Sequence, residues 1–178
     1  MDLQLVVKLI ADGLVIPVAL IGVYALLKTI SNDEKYQAYL RVLMAGLTAY
    51  IVAKIIGAVY QPEQLRPFEV LGVSAGASFL NNPGFPSDHA LFTMAITLVV
   101  WFEAKNKKLA VVCLILTLLV CVGRVIALVH TPLDVAGGLL IACVGIVWYV
   151  PNFNLIAKTL IIKYIHLQFS QVYVTIST

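Results

Sequence analysis

Charge is scarce in this chain. Of its 178 residues only 12% are Asp, Glu, Lys or Arg, about half the share of a soluble domain. That deficit excludes a solvated globular surface and leaves a bilayer as the main solvent. The formal net charge of +3 is too small an excess to hold a polyanion, so no nucleic acid is expected as a partner. Cysteine is sparse as well. Cys113, Cys121 and Cys143 lie inside long apolar runs without metal-ligand spacing and read as buried free thiols. No carboxylate cluster offers a metal site. The N-terminus lacks a basic region leading into a short apolar core and a small-residue cleavage site, so no cleavable signal is expected.

What abounds is apolar sequence: 61% of residues are hydrophobic, and the mean hydropathy is +0.98. A membrane helix needs about 17 to 25 mostly apolar residues. Runs of that kind occur at 13–30, 39–60, 87–103, 109–129 and 132–151, which predicts an all-α integral membrane bundle of about five spans in one domain, 1–178. Residues 1–12, with Lys8 and Asp12, read as an amphipathic lead-in in which Asp12 caps the first span or reaches water. The stretch 61–86 is polar and Pro-rich, with Asn81, Asn82, Pro83 and Gly84 as turn signals. In the tail, 152–178, Lys158, Lys163, His166, Gln168 and Gln171 interrupt the apolar residues and predict an interfacial helix with a frayed end. Trp101, Trp148 and Tyr149 fall near span ends, where aromatic belts form. No signal fixes an oligomeric state.

Basic residues in short loops set orientation. Lys28, Lys35, Arg41, Lys105, Lys107, Lys108, Lys158 and Lys163 fall on one side; Lys8, Lys54, Arg66 and Arg124 fall on the other. The bias predicts a cytoplasmic first group and an extracytoplasmic second one. That second side collects three polar segments: Lys54 with Arg66-Pro67, then Pro86-Ser87-Asp88-His89, then Arg124, His130 and Asp134.

These residue types suit the binding and cleavage of a phosphate. Arg66 and Arg124 can grip phosphate oxygens in pairs, and Lys54 adds a point charge. Ser87 reads as an N-cap, so the third span would open on unbonded backbone N–H groups and a positive dipole end. Thr131-Pro132 reads the same way and puts Asp134 at the third helical position, folded back toward His130. A carboxylate on one ring nitrogen would fix the tautomer and leave the other nitrogen to attack phosphorus, with His89 protonating the departing oxygen. Singly, each has an ordinary reading: a helix cap, an interfacial histidine, a snorkelling arginine. Their gathering on one face is what carries weight, because ionisable groups at membrane helices are rare and functional by default.

The three segments resemble the motifs of the type 2 phosphatidic acid phosphatase superfamily, whose soluble cousins are vanadium haloperoxidases. Those motifs are Lys-x6-Arg-Pro, Pro-Ser-Gly-His and Ser-Arg-x5-His-x3-Asp. The third here is Gly123-Arg124-x5-His130-x3-Asp134, with Gly for Ser; the second is Pro86-Ser87-Asp88-His89, with Asp for Gly. The first is stretched, because Val59 stands at the expected lysine position and the nearest lysine is Lys54. The resemblance covers roughly residues 50–145. It implies a phosphohistidine on His130 oriented by Asp134, His89 as acid and then base, phosphate held by Lys54, Arg66, Ser87 and Arg124, and no metal or other cofactor. Family members typically carry six spans, so one N-terminal helix would be missing or reduced to the lead-in. Asp88 is similar to the variant found in bacitracin-resistance undecaprenyl pyrophosphatases, which implies an isoprenyl diphosphate as the lipid substrate. Phosphatidylglycerol-phosphate or phosphatidic acid phosphatase, a lipid phosphotransferase, an anion transporter and an inactive scaffold are the alternatives.

Overall fold

A computed structural model describes residues 3–62, 65–82 and 84–150, and these form an all-α bundle with no strand among them. We label its helices α1 (Leu3–Lys28), α2 (Lys35–Val59), the short α3 (Pro67–Val70), α4 (Asp88–Leu98, continued by a π-helical turn Val99–Glu103), α5 (Lys107–Ile126) and α6 (Pro132–Tyr149, 3-10 helical from Cys143). The predicted tail, 152–178, lies outside the described residues.

The lead-in and first span join into one 26-residue run, with a π-helical turn at Leu9–Gly13 between two α-helical stretches. Pro17 has no N–H to give the Gly13 carbonyl. Just upstream, Leu14 N donates five residues back to Leu9 O at 3.1 Å, so the wider turn absorbs the break in the ladder.

Helices α1, α2, α5 and α6 are long and apolar enough to cross a membrane. Their outward faces carry Leu20, Leu43, Ile55, Ile115 and Leu140, all exposed. A soluble bundle could not leave so much apolar surface uncovered; in a bilayer those faces meet lipid, and the chain is a membrane protein. The inward faces are small. On α2, Ala38, Ala45, Ala49 and Ala53 are buried at helical spacing, which lets backbones approach closely.

Helix α4 differs from its expected role as an ordinary span. Its 11 α-helical and 5 π-helical residues make 16, fewer than the other four, and it contacts α1, α2, α5 and α6. It is the central post of the bundle. Its hydroxyls are satisfied internally: Thr93 Oγ1 donates to His89 O at 2.8 Å, Thr97 Oγ1 to Thr93 O at 2.9 Å, and Thr97 meets Thr117 of α5 at 3.1 Å. At one end of the bundle Arg41 of α2 grips Glu103 through two of its nitrogens. The candidate site lies at the other end.

The described residues of the 61–86 stretch fold down onto that end rather than looping away. Phe68 N donates to Leu128 O and Gly76 N to Ala127 O, both at 3.0 Å. Ala77, Ala127 and Val129 bury against Ala11, with Phe68 packed beside them. The acceptors exist because α5 ends in a Schellman-type turn: Leu128 N reaches Val125 O and Val129 N reaches Arg124 O. Leu128 takes the left-handed conformation, φ 59°, which glycine usually supplies at such ends and which strains a leucine by about 1–2 kcal/mol.

Candidate active site

Between the end of α2, the start of α4 and the α5–α6 junction lies a cavity of about 520 Å³ lined by Lys54, Arg66, Asp88, His89, Arg124 and His130, among others. The three motif segments, spread from Lys54 to Asp134, therefore meet around one space. A backbone hydrogen bond fastens two of them together, from Ser87 N to Asp134 O at 3.0 Å.

His130 and Asp134 owe their arrangement to the cap of α6. Thr131 Oγ1 accepts from Asp134 N at 3.3 Å, and Asp134 Oδ2 accepts from Thr131 N at 2.8 Å, a reciprocal capping box. The fold-back leaves Asp134 Oδ2 at 3.4 Å from His130 Nδ1. That contact is an ion-pair distance but not a formed hydrogen bond, and Nδ1 is otherwise without a partner. Catalytic hydrogen bonds are often this loose before substrate arrives. With Nδ1 turned to Asp134, Nε2 is the ring nitrogen left for the cavity. Burial holds the His130 imidazole below its usual pKa, Arg124 and Arg66 push the same way, and Asp134 opposes them. The balance favours the neutral ring.

Arg124 is 1% exposed. Its Nη1 donates to Asp12 Oδ1 at 2.6 Å, while Nε has no partner. Ser87 is the N-cap residue of α4 by backbone geometry, yet its side chain makes no cap bond; the hydroxyl is fully buried and unpartnered. Ser87 and Asp134 stand just behind the cavity wall rather than in it. Among the described residues, the buried side-chain polar atoms without partners are those of Gln61, Ser87, Arg124 and His130. All four belong to this site, and buried polar groups elsewhere are satisfied as expected.

Arg66 is more committed than its sequence suggests. Nη1 donates to Val129 O at 2.5 Å, and Nη2 serves Leu80 O, Asn82 O and Asn82 Oδ1 at 3.0–3.2 Å. It ties the covering loop to the α5–α6 junction and still borders the cavity. Lys54 lines the same cavity despite the stretched spacing. Its Nζ lies 3.0 and 3.3 Å from the two Asp88 oxygens and over the Tyr50 ring at 5.1 Å. Helix α2 simply runs on past Lys54 to Val59, and Gln61 Nε2 then bonds both Gly57 O and Phe85 O, so Gln61 ties the end of α2 to the residue just before the second motif.

Two partners escaped the sequence. Asp88 neutralises Lys54, which the one-residue departure from Gly could have suggested. Asp12 crosses from α1 to Arg124 and approaches His89 Nε2 at 3.6 Å; a lone acid in an apolar helix was its only signal. Among the described residues no group of three His, Cys, Asp or Glu side chains gathers as a metal ion would need.

Comparison with known proteins follows the same residues. The model of the PAP2 superfamily matches residues 37–156. The Bacitracin transport permease protein BcrC of Bacillus licheniformis is 30% identical over 122 residues, 66% of this chain and 58% of that protein; the match therefore spans less than two thirds of the relative's length. No solved structure matches. A family model covering well over half of the chain, including all three motif segments, decides the assignment: the chain belongs to the PAP2 superfamily.

Proposed function

We propose that this protein is a membrane phosphatase that removes phosphate from a phosphorylated lipid, without a metal, through a phosphohistidine on His130. One observation carries this reading: at a single end of an apolar bundle, two arginines, a lysine and two histidines border one cavity, and among its lining Gln61 Oε1, Arg124 Nε and His130 Nδ1 are buried without hydrogen-bond partners. Arg124, Lys54 and Arg66 hold the phosphate, and the unpartnered Ser87 hydroxyl just behind the wall turns to it once it is bound; hydrogen bonds to the cations strengthen as negative charge builds on its oxygens. His130 Nε2 attacks phosphorus, Asp134 keeps its tautomer, and His89 protonates the leaving oxygen before activating water. The site works as a single lipid phosphatase domain spanning the chain.

For the substrate we favour undecaprenyl diphosphate. Asp88 in the second motif is one support, and the name of the Bacillus licheniformis relative, which links it to bacitracin, is another. That name also says transport. A carrier would hold its charged groups near the bilayer midplane between repeated halves, whereas the polar groups here gather at one end, which favours hydrolysis. The test is phosphate release by the detergent-purified chain, with a chelator present, from undecaprenyl diphosphate, phosphatidylglycerol phosphate and phosphatidic acid. Release from the isoprenyl lipid is expected to be fastest. No release from any of them overturns the reading, and phosphate passed to an acceptor lipid instead of water makes the protein a phosphotransferase.

We also propose that the site opens on the extracytoplasmic side of a multi-pass cell-membrane protein, as the distribution of basic residues suggests. Asn81 and Lys107 are both exposed and lie at opposite ends of the bundle. A cysteine replacing Asn81 is expected to react with a membrane-impermeant maleimide in intact cells, and one replacing Lys107 to stay unlabelled. The opposite pattern would place the chemistry in the cytoplasm.

A further inference from the structure

The departure of the third motif at Gly123 has a structural counterpart on α1. A Cβ at Gly123 would stand 2.8 Å from Ala11 N and 2.9 Å from its Cα. The serine usual at this position would collide with backbone, which cannot yield as a flexible side chain could. Glycine lets the π-helical turn of α1 lie directly on α5, and the residue after Ala11 is Asp12. Its carboxylate is then fixed from three directions. Oδ2 accepts from Ser78 N at 2.9 Å in the covering loop, Oδ1 accepts from Arg124 Nη1 at 2.6 Å, and Oδ1 faces His89 Nε2 at 3.6 Å. A carboxylate inside a long apolar helix is costly unless it is paired and serves a purpose, and a π-helical turn is a frequent mark of function.

His89 is partly buried, which makes a charge on its ring costly, and it stands near Arg124 and His130, with Asp12 and Asp88 as the nearby anions. A proton placed on its ring needs a nearby anion to remain there. We propose that Asp12 is a positioning residue for His89: it favours the protonated imidazole over what burial alone would allow, aligns it for the leaving group, and shares Arg124 with the incoming phosphate. The proposal rests on the phosphatase reading above. In the first step His130 nitrogen bonds to the terminal phosphorus, the bond from that phosphorus to the oxygen of the departing lipid alcohol or lipid monophosphate breaks, and the His89 proton passes to that oxygen. In the second, neutral His89 takes a proton from water while the water oxygen bonds to phosphorus and the phosphorus–nitrogen bond breaks. His130 is restored, and His89 is again an imidazolium beside Asp12.

Leaving-group dependence separates this role from a merely structural one, because a good leaving group needs no proton. The purified full chain and its Asp12→Asn variant are compared on an alkyl phosphate lipid and on p-nitrophenyl phosphate. General acid catalysis is worth about a hundredfold or more, so kcat on the alkyl ester is expected to fall by roughly that factor. On p-nitrophenyl phosphate the fall is expected to stay within about fivefold. KM is not expected to rise, since Arg124 loses a competitor for phosphate. Asn retains an acceptor for Ser78 N, and Asp12→Glu, which keeps the charge but displaces it, is expected to lose activity in the same selective way to a smaller degree. Equal losses on both esters, or no loss on either, overturn the proposal even if Asp12→Glu is the only variant that purifies. Wild-type protein that hydrolyses neither ester overturns the phosphatase reading itself, whereas active wild type with equal losses counts against Asp12 alone.

Discussion

His130→Ala is expected to reduce lipid phosphate hydrolysis to background, a loss on the order of 10⁴-fold or more, as when a covalent nucleophile is removed elsewhere. The side chain is 5% exposed, and under the proposed mechanism its removal takes away the nucleophile while leaving Lys54, Arg66 and Arg124 in position. The check has two parts. Steady-state phosphate release gives the loss of turnover. Acid-labile, base-stable labelling from a radioactive phosphate ester identifies the intermediate, and it is expected in the wild type and absent in the variant. Thr131 and Asp134 supply the α6 cap without help from the ring, so the variant is expected to insert and purify. Substantial turnover, or a label that persists without His130, would sink the phosphohistidine mechanism.

Asp134→Asn is expected to slow kcat by about a hundredfold or more with little change in stability. An asparagine oxygen can still accept from Thr131 N, where Asp134 Oδ2 now does at 2.8 Å, so the helix cap survives; Asn and Asp are near equals in caps. What changes is the charge shown to His130. Oδ2 is also the atom that faces Nδ1, at 3.4 Å, and an amide oxygen in its place has no charge to hold the ring proton on Nδ1 or to stabilise the imidazolium that forms as the ring bonds phosphorus. Thermal unfolding in detergent and kcat measured together separate the two effects. A variant within about threefold of wild type would show that Asp134 serves the cap alone, since an orienting carboxylate is normally worth far more.

The sequence disclosed those parts of the site whose physics is local. Thr131-Pro132 with Asp134 two positions further spells a capped helix, so the fold-back toward His130 was legible before any coordinates. The spans were legible because apolar composition is itself the membrane signal. Long-range partners were not. Asp12 pairs with Arg124 across 112 positions, and no spacing rule reaches that far. Arg66 looked like a dedicated phosphate ligand, yet several of its N–H groups go to loop carbonyls, because a covering loop with few hydrogen-bonding partners of its own must find donors somewhere. Ser87 looked like a cap from its place before α4, but its hydroxyl bonds nothing in the protein. The lead-in read as a separate element because Lys8 and Asp12 interrupt the apolar run; in three dimensions Lys8 is exposed and Asp12 is paired, so the run continues through both, by way of the π-helical turn at Leu9–Gly13.

The shortness of the central post has a mechanical consequence. Sixteen residues, 11 plus 5, span about 24 Å at helical rise, against a hydrocarbon layer of about 30 Å. For the lipid phosphatase proposed here, Ser87 and His89 at its head then lie beneath the level of the surrounding headgroups, at the floor of a shallow well. A substrate's phosphate descends to meet them while its hydrocarbon tail stays among the neighbouring acyl chains. The protein need not extract its lipid from the bilayer, and the depth of the well relative to the local bilayer thickness becomes part of how a headgroup is selected.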